Sequence, residues 1–324
     1  MRDPVSKLLF ILIVFILTNC SPSPKTGEAP DTENTTIDTT AEAISFGGKP
    51  LFPPPETAEA KQKKDSLLQI ARANYRNAPD SLDHIIWYGR RLAYLSRFKE
   101  AIKVYSKGME RFPDAPELYR HRGHRYISTR QLDKALADFK KAADLAADRP
   151  IEIEPDGIPN KLNKPLSTLQ FNIWYHWGLA HYLKGEFEEA AIIYEKCMGY
   201  STNPDLLCAT TDWLYMTYRR LGEEAKATKI LGPINEKMQV IENESYFNRL
   251  MMYKGSKSPE SLLNLDNEDP ERQLDIVTQG YGVGNWYLYN GQNEKAKAVF
   301  QKMMETNYWS AFGYIAAEAD LQRL

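Results

Sequence analysis

Cysteine is nearly missing: the 324-residue chain has three, Cys20, Cys197 and Cys208. So few cannot build a disulfide scaffold. No CxxC pair is present, which removes zinc knuckles and thioredoxin-type motifs. A charge excess of one sign is missing too, with 41 basic against 43 acidic residues and a net charge of −2. Nucleic-acid binding needs a basic field to offset phosphate, so that class is excluded. Catalytic signatures are absent: the chain has no HExxH, no GxSxG and no P-loop. Gly280 to Gly284 is glycine-rich but lacks the lysine and spacing of a phosphate loop. His121 and His124 stand three residues apart among arginines, which repel a cation, and no third ligand is apparent. The chain therefore reads as a non-enzyme with no cofactor, no metal and no nucleic-acid partner. Long apolar runs are scarce. The one at Leu8–Leu17 is half the roughly 20 residues that a membrane-spanning helix needs.

That run has the length of a signal-peptide core, and Arg2 and Lys7 precede it as a positive n-region. It ends at Leu17-Thr18-Asn19-Cys20, which resembles the bacterial lipobox. The resemblance implies a signal peptide over 1–19 and lipidation of Cys20. It also implies export and anchoring to a bacterial membrane, the outer one facing periplasm or surface. Asn19 stands where that motif usually has a small residue. Residues 20–57 are rich in Pro and Thr and close on Pro53-Pro54-Pro55. Such a composition buries too little apolar surface to offset its ordering entropy, so a disordered tether is expected there. About 35 residues of flexible chain span roughly 35 Å.

The body, 58–324, is periodic. Ala101, Ala135, Ala190, Ala225 and Ala296 recur near multiples of one interval, with an extra stretch at 150–170 that carries four prolines. Around them fall small residues and aromatics in register. The first unit, 82–115, has Tyr88, Gly89, Ala101, Tyr105 and Gly108. The second, 116–149, has Tyr119, Gly123, Ala135 and Phe139, and the third, 171–204, has Trp174, Gly178, Ala190 and Tyr194. The fourth, 208–239, is two residues short at its turn, and the last, 277–309, has Gly284, Ala296 and Phe300. Residues 56–77 read as a capping helix, 243–254 as an unpaired helix, 255–270 as turns, and 310–324 as an amphipathic closing helix.

This register resembles the tetratricopeptide repeat (TPR) family over roughly 62–324. The resemblance implies an all-α, right-handed solenoid of antiparallel helix pairs. Each pair cannot bury its own apolar face, and stacking several makes a continuous core. It also implies a concave surface lined by the first helix of each unit. The residues carried onto that surface are Arg90, Tyr94, Arg120, His124, Tyr175, Tyr182, Arg219 and Tyr289. Tyr and Arg are interface anchors, and Arg90 with Arg120 could clamp a carboxylate. Otherwise His121-Arg122-Gly123-His124-Arg125 is simply a solvated basic face. Cys197 and Cys208 flank a short loop, either as a candidate disulfide or as buried free thiols. The expected function is a tethered scaffold for a protein or peptide partner. The alternative is a small-ligand or peptide receptor, or an enzyme, that uses the 150–170 insertion as a lid.

Overall fold

The computed structural model describes residues 40–263 and 273–324. The expected signal peptide, Cys20 and the first part of the tether lie outside the described residues. The described chain belongs to one compact unit, all-helical apart from a two-stranded hairpin.

The helices run in antiparallel neighbours along an α-solenoid. They are α1 (Ala58–Asn77), α2 (Leu82–Tyr94), α3 (Phe98–Arg111), α4 (Pro116–Ser128), α5 (Leu132–Ala146), α6 (Leu169–Lys184) and α7 (Phe187–Met198). There follow α8 (Pro204–Arg220), α9 (Glu224–Ile230), α10 (Glu244–Tyr253), the short α11 (Pro259–Leu262), α12 (Gln273–Tyr289), α13 (Asn293–Met304) and α14 (Phe312–Leu321). Starts are written in the sequence. Thr57, Ser81, Thr168 and Asn203 each accept a bond from a first-turn N–H, satisfying a donor that the helix itself cannot. Pro116 and Pro204 open helices where no N–H is needed.

Inside four of the pairs a glycine on the first helix receives an aromatic ring from the second. A Cβ on Gly89 would meet Tyr105 at 2.3 Å, and one on Gly284 would meet Phe300 at 2.4 Å. Gly123 meets Phe139 at 2.9 Å and Gly178 meets Tyr194 at 2.8 Å in the same way, at the same sequence interval. Overpacking such a contact costs about 1–3 kcal/mol. The repeating alanine is the fourth residue of the second helix and is fully buried at 101, 135, 190 and 296. In the fourth unit that residue is Ala227, also fully buried, whereas Ala225 is exposed. Placing Ala225 in register was wrong because the second helix of that unit starts only at Glu224, which puts Ala225 on its second residue and Ala227 on its fourth. The glycine position there holds Tyr215, whose ring stacks on Tyr253 of α10 at 4.2 Å.

Two departures concern the ends. Residues 41–57 are ordered, against the expectation of a tether running to 57. Strands β1 (Ala43–Ile44) and β2 (Pro50–Leu51) pair, and Ala43 and Leu51 sink into the core of the first helices. The Glu42 carboxylate caps α3 by accepting from the Lys99 N–H at 2.9 Å, a helix start with no cap of its own. Nor is α14 a simple end cover. It packs on α12, α13 and α6, and Trp309 and Tyr314 join the core of the first helices. Its Glu318 is buried and accepts from Arg130 at 2.6 Å and from the Phe46 N–H at 2.5 Å. Asp320, wholly buried, accepts from Arg220 and Arg323, both at 2.8 Å.

Every turn inside a helix pair has one left-handed residue two places before the second helix. Gly185, Gly222 and Gly291 fill three of these, and Ser96 (φ 58) and Arg130 (φ 62) fill two. A side chain in that conformation costs about 1 kcal/mol that glycine avoids. Arg130 occupies it with its guanidinium bonded to Glu318 and to the carbonyls of Ser128 and Trp309. Replacing Ser96 with Gly should raise the denaturation midpoint slightly. Arg130→Gly, at the same backbone geometry, should lower stability by about 3–5 kcal/mol, because Glu318 is left buried without its partner. Urea melts of both variants test this, and equal effects would show that the ion pair contributes nothing.

Candidate functional site

The residues expected to line an open groove fall into three places. Arg90, Tyr94 and Arg120 come together beneath the 150–170 insertion. The buried Arg90 lies over the Trp87 ring at 4.4 Å and donates to the Tyr94 hydroxyl at 3.3 Å. Arg120 is 7% exposed and pairs with Glu154 of the insertion at 3.0 Å. Its Nη1 lies 2.9 Å from His121 Nδ1, and its Nε is buried with no acceptor. Arg91 donates to the Gly157 carbonyl at 3.2 Å. Gly157 sits so close to Tyr94 that a Cβ there would fall 1.4 Å from the hydroxyl.

His124, Tyr175 and Tyr182 belong to the interior instead. His124 packs between His176 at 4.5 Å and Phe312 at 5.1 Å. The Tyr175 and Tyr246 hydroxyls are 2.9 Å apart, and those of Tyr182 and Tyr281 are 2.7 Å apart. Tyr281 donates to Asp320 at 2.9 Å. The concave side is thus filled from within by α10, α12 and α14, and a continuous open stripe is not formed. Arg219 and Tyr289 meet at a separate place. The guanidinium there lies 4.4 Å from the ring centre and donates to the Tyr215 hydroxyl at 3.3 Å.

The basic stretch 121–125 is not a solvated face. His121 is buried, and Arg122 makes a two-bond fork with Asp138 at 2.8 and 2.7 Å. Arg125 lies over the Phe98 ring at 5.3 Å, and burial pulls its pKa down to about 10. Cys197 and Cys208 are free, buried thiols, not a disulfide. Cys197 Sγ lies 3.4 Å from the Thr210 hydroxyl, and burial pushes both thiols up to about 12, which leaves them unreactive. Among the described residues no three His, Cys, Asp or Glu side chains gather to hold a metal. No helix among them is long and apolar enough to cross a membrane.

A cleft of about 320 Å³ opens between α2, the start of α4 and the insertion. Ile86, Trp87, Arg90 and His121 line it together with four carboxylates, those of Asp83, Glu117, Glu152 and Glu154. The insertion reaches it as one short rung. Ile153 bridges Thr168, the Glu154 N–H donates to the Ser167 carbonyl at 3.0 Å, and the Leu169 N–H donates to the Glu152 carbonyl at 2.8 Å. Trp87, Arg91, Glu154, Asp156 and Gly157 were not singled out from the sequence. The signal available was the alternation Ile151-Glu152-Ile153-Glu154, which puts acids on one side of an extended chain.

Residues 171–204, which span α6 and α7, match the family model of the tetratricopeptide repeat. No curated protein matches the chain. Among solved structures it is similar to YrrB, described as a TPR protein with an unusual peptide-binding site. That match has 13% identity and a TM-score of 0.39 and covers 78% of this chain and 98% of that one. It is also similar to the nearly identical TPR-like repeats of a Podosopora anserina protein named for the kinesin light chain. There the identity is 15% and the TM-score 0.40, covering 76% of this chain and 99% of the other. The chain is an α-solenoid in which one unit, α6 with α7, matches the family model.

The imidazoles yield a pH prediction. Burial, with nearby arginines adding repulsion, holds His121, His124 and His176 well below the usual 6.5. Unfolded, each takes a proton near 6.5 while the folded protein refuses it. Their contribution is therefore complete above 6.5 and is lost as the pH falls through it. Burial raises the Asp138 carboxyl, which acts with the opposite sign in the carboxylate range. The melting temperature should fall from about pH 7.5 to about pH 5.5, and His176→Gln should flatten that slope. Thermal melts across that range check it, and an unchanged slope in the variant would refute it.

Proposed function

We propose that this chain is a lipid-anchored adaptor of the bacterial envelope that binds another protein through its first two repeats and catalyses no reaction. A TPR-like solenoid is a frame for protein–protein contact. The single observation that carries the choice of surface is the cleft itself. Its wall holds Trp87 and Arg90, residue types that dominate binding energy at interfaces, with Arg91 and Tyr94 stacked beside them on the same helix. These side chains are stacked on one another before any partner arrives, which lowers the entropy cost of binding. The lipid anchor rests on the lipobox-like Leu17-Thr18-Asn19-Cys20 and the apolar run before it.

A second reading is a receptor for a small ligand. The cleft volume of about 320 Å³ lies at the lower end of small-molecule sites, and the insertion does cover it as a lid would.

Two measurements test the proposal. Cys20→Ser should move the protein from the membrane fraction to the soluble one and abolish incorporation of labelled palmitate; unchanged fractionation would rule out the anchor. Crosslinking in intact cells should capture a protein partner that Trp87→Ala loses while its circular dichroism stays the same. A truncated interface aromatic costs about 2 kcal/mol or more, a loss of thirtyfold or so. The same partners in both samples would retire the cleft.

A further inference from the structure

The 150–170 insertion sorts its side chains. Two of its acids are taken up by arginines: Glu152 pairs with Arg149 at 2.8 Å and Glu154 with Arg120 at 3.0 Å. Its tip faces water. Ile158, Pro159, Lys161, Leu162, Asn163 and Lys164 are all exposed, Ile158 at 75% and Leu162 at 63%. Among the described residues no large apolar side chain is more exposed than Ile158. Exposed aliphatic residues scattered singly need no explanation. Two on one turn, within five residues, leave apolar surface in water that folding alone does not favour.

The turn is held in the shape that exposes them. Asn160 ties it from within. Its Oδ1 accepts from the Leu162 N–H at 3.0 Å and the Lys164 N–H at 3.2 Å, and its Nδ2 donates to the Lys164 carbonyl at 2.6 Å. Its carbonyl accepts from the Asn163 N–H at 2.9 Å, and Asn163 closes the turn in the left-handed conformation, φ 50, that asparagine tolerates. The Asn160 Nδ2 also donates to Glu242, which moors the tip to the segment before α10. Lys161 and Lys164 flank Leu162, and neither has a carboxylate partner among the described residues. Asp156, before the turn, lies toward Arg90. The tip therefore carries two lysines against the one carboxylate of Glu242.

We infer that the tip 158–164 rests on a lipid bilayer with anionic headgroups, with Ile158 and Leu162 entering the boundary of headgroups and acyl chains and Lys161 and Lys164 at the level of the phosphates. Lysine suits that place, since its long stem lies along apolar surface while its charge stays in water. Two aliphatic side chains are far too small for a stable protein interface, which buries about 800 Å² on each partner. A bilayer offers apolar depth and negative charge together and demands no matching shape. The inference rests on the reading that Cys20 is anchored, and it adds which part of the domain meets the membrane. Twenty residues separate Cys20 from Thr40, a reach of at most about 70 Å. The chain then arrives at the turn between α2 and α3, where Glu42 caps α3 and the Lys99 Nζ donates to the Ala41 carbonyl at 2.5 Å. The last turn of α2 holds Arg91, which donates to Gly157 beside the tip. Anchor and tip therefore leave the same end of α2, and a bilayer held near by the first strengthens a weak contact by the second.

The test uses the full chain carrying Cys20→Ser and Leu162→Cys, labelled at 162 with an environment-sensitive dye; Cys197 and Cys208 are buried and stay unlabelled. The probe is a vesicle of phosphatidylglycerol and phosphatidylcholine with some nitroxide-bearing lipid. Dye emission should shift to the blue and be quenched by the nitroxides. Lys161→Gln with Lys164→Gln should lower the affinity read from that quenching about thirtyfold, and vesicles of phosphatidylcholine alone should do the same. Ile158→Ser should lower it about tenfold. These positions are exposed, so the melting temperature should not move. The same dye on Ile192→Cys, exposed on α7, should show no quenching. Quenching at 162 no greater than at 192, or indifferent to the lysine variant, overturns the inference. So does a photo-crosslinker at 158 that in intact cells captures a protein and no lipid. The readout is local to the tip and uses no acyl chain. Its failure leaves lipidation of Cys20 standing, and absence of palmitate on Cys20 leaves the quenching result unchanged.

Discussion

The close approach of a helix backbone to an aromatic ring is the contact on which the rest of this structure depends. Gly89, Gly123, Gly178 and Gly284 leave a gap the width of a side chain, and Tyr105, Phe139, Tyr194 and Phe300 fill it. All four rings are buried, two of them tyrosines deep in the core. Because the gap recurs at one interval, each pair has the same internal geometry and successive pairs stack in register. Where the device is missing, regularity fails. Tyr215 replaces the glycine of the fourth pair, α9 shrinks to seven residues, and the chain from 231 to 243 contains no long helix. Tyr215 turns to Tyr253 instead, so α10 packs on α8 beside the shortened α9.

Irregularity in that unit has a consequence at the other end. A solenoid of regular pairs leaves its concave side open. Here α10, α12 and α14 occupy it, and charged side chains come with them. Arg249 forks onto Asp212 at 3.0 and 2.7 Å in the interior, Arg220 meets Asp320, and Arg130 meets Glu318. Buried ion pairs of this kind add little net stability, since desolvation offsets their attraction. Their effect is on specificity: a misplaced α14 would strand two buried carboxylates, so only one docking of that helix is tolerated. The left-handed Arg130, in a place where glycine would be easier, belongs to the same arrangement.

The sequence made the periodic part legible because its determinants are local. A glycine, an alanine and an aromatic at set intervals, with Ser, Thr, Asn or Pro at helix starts, need no knowledge of distant chain. The departures all come from contacts between residues far apart. Ala43 and Leu51 look like tether until Trp309 donates to the Phe52 carbonyl and α3 supplies N–H groups for Glu42. Tyr175 and Tyr182 carry the residue type of a binding groove, but hydroxyl partners at Tyr246 and Tyr281 make them core. Arg90, Tyr94 and Arg120 do come together, as repeat register requires of equivalent positions. The insertion was expected over the groove as a lid in the alternative reading, but that Glu154 and Gly157 are the residues that meet them depends on contacts between distant parts of the chain.

That covering settles how the basic face and the insertion must be treated. Arg120 is nearly excluded from water, and among the described residues its carboxylate partner is Glu154 at 3.0 Å. Deleting the insertion would not expose a ready groove. It would leave the buried Arg120 without its partner, at a cost of about 3–5 kcal/mol. Arg120 and the insertion are therefore one thermodynamic unit.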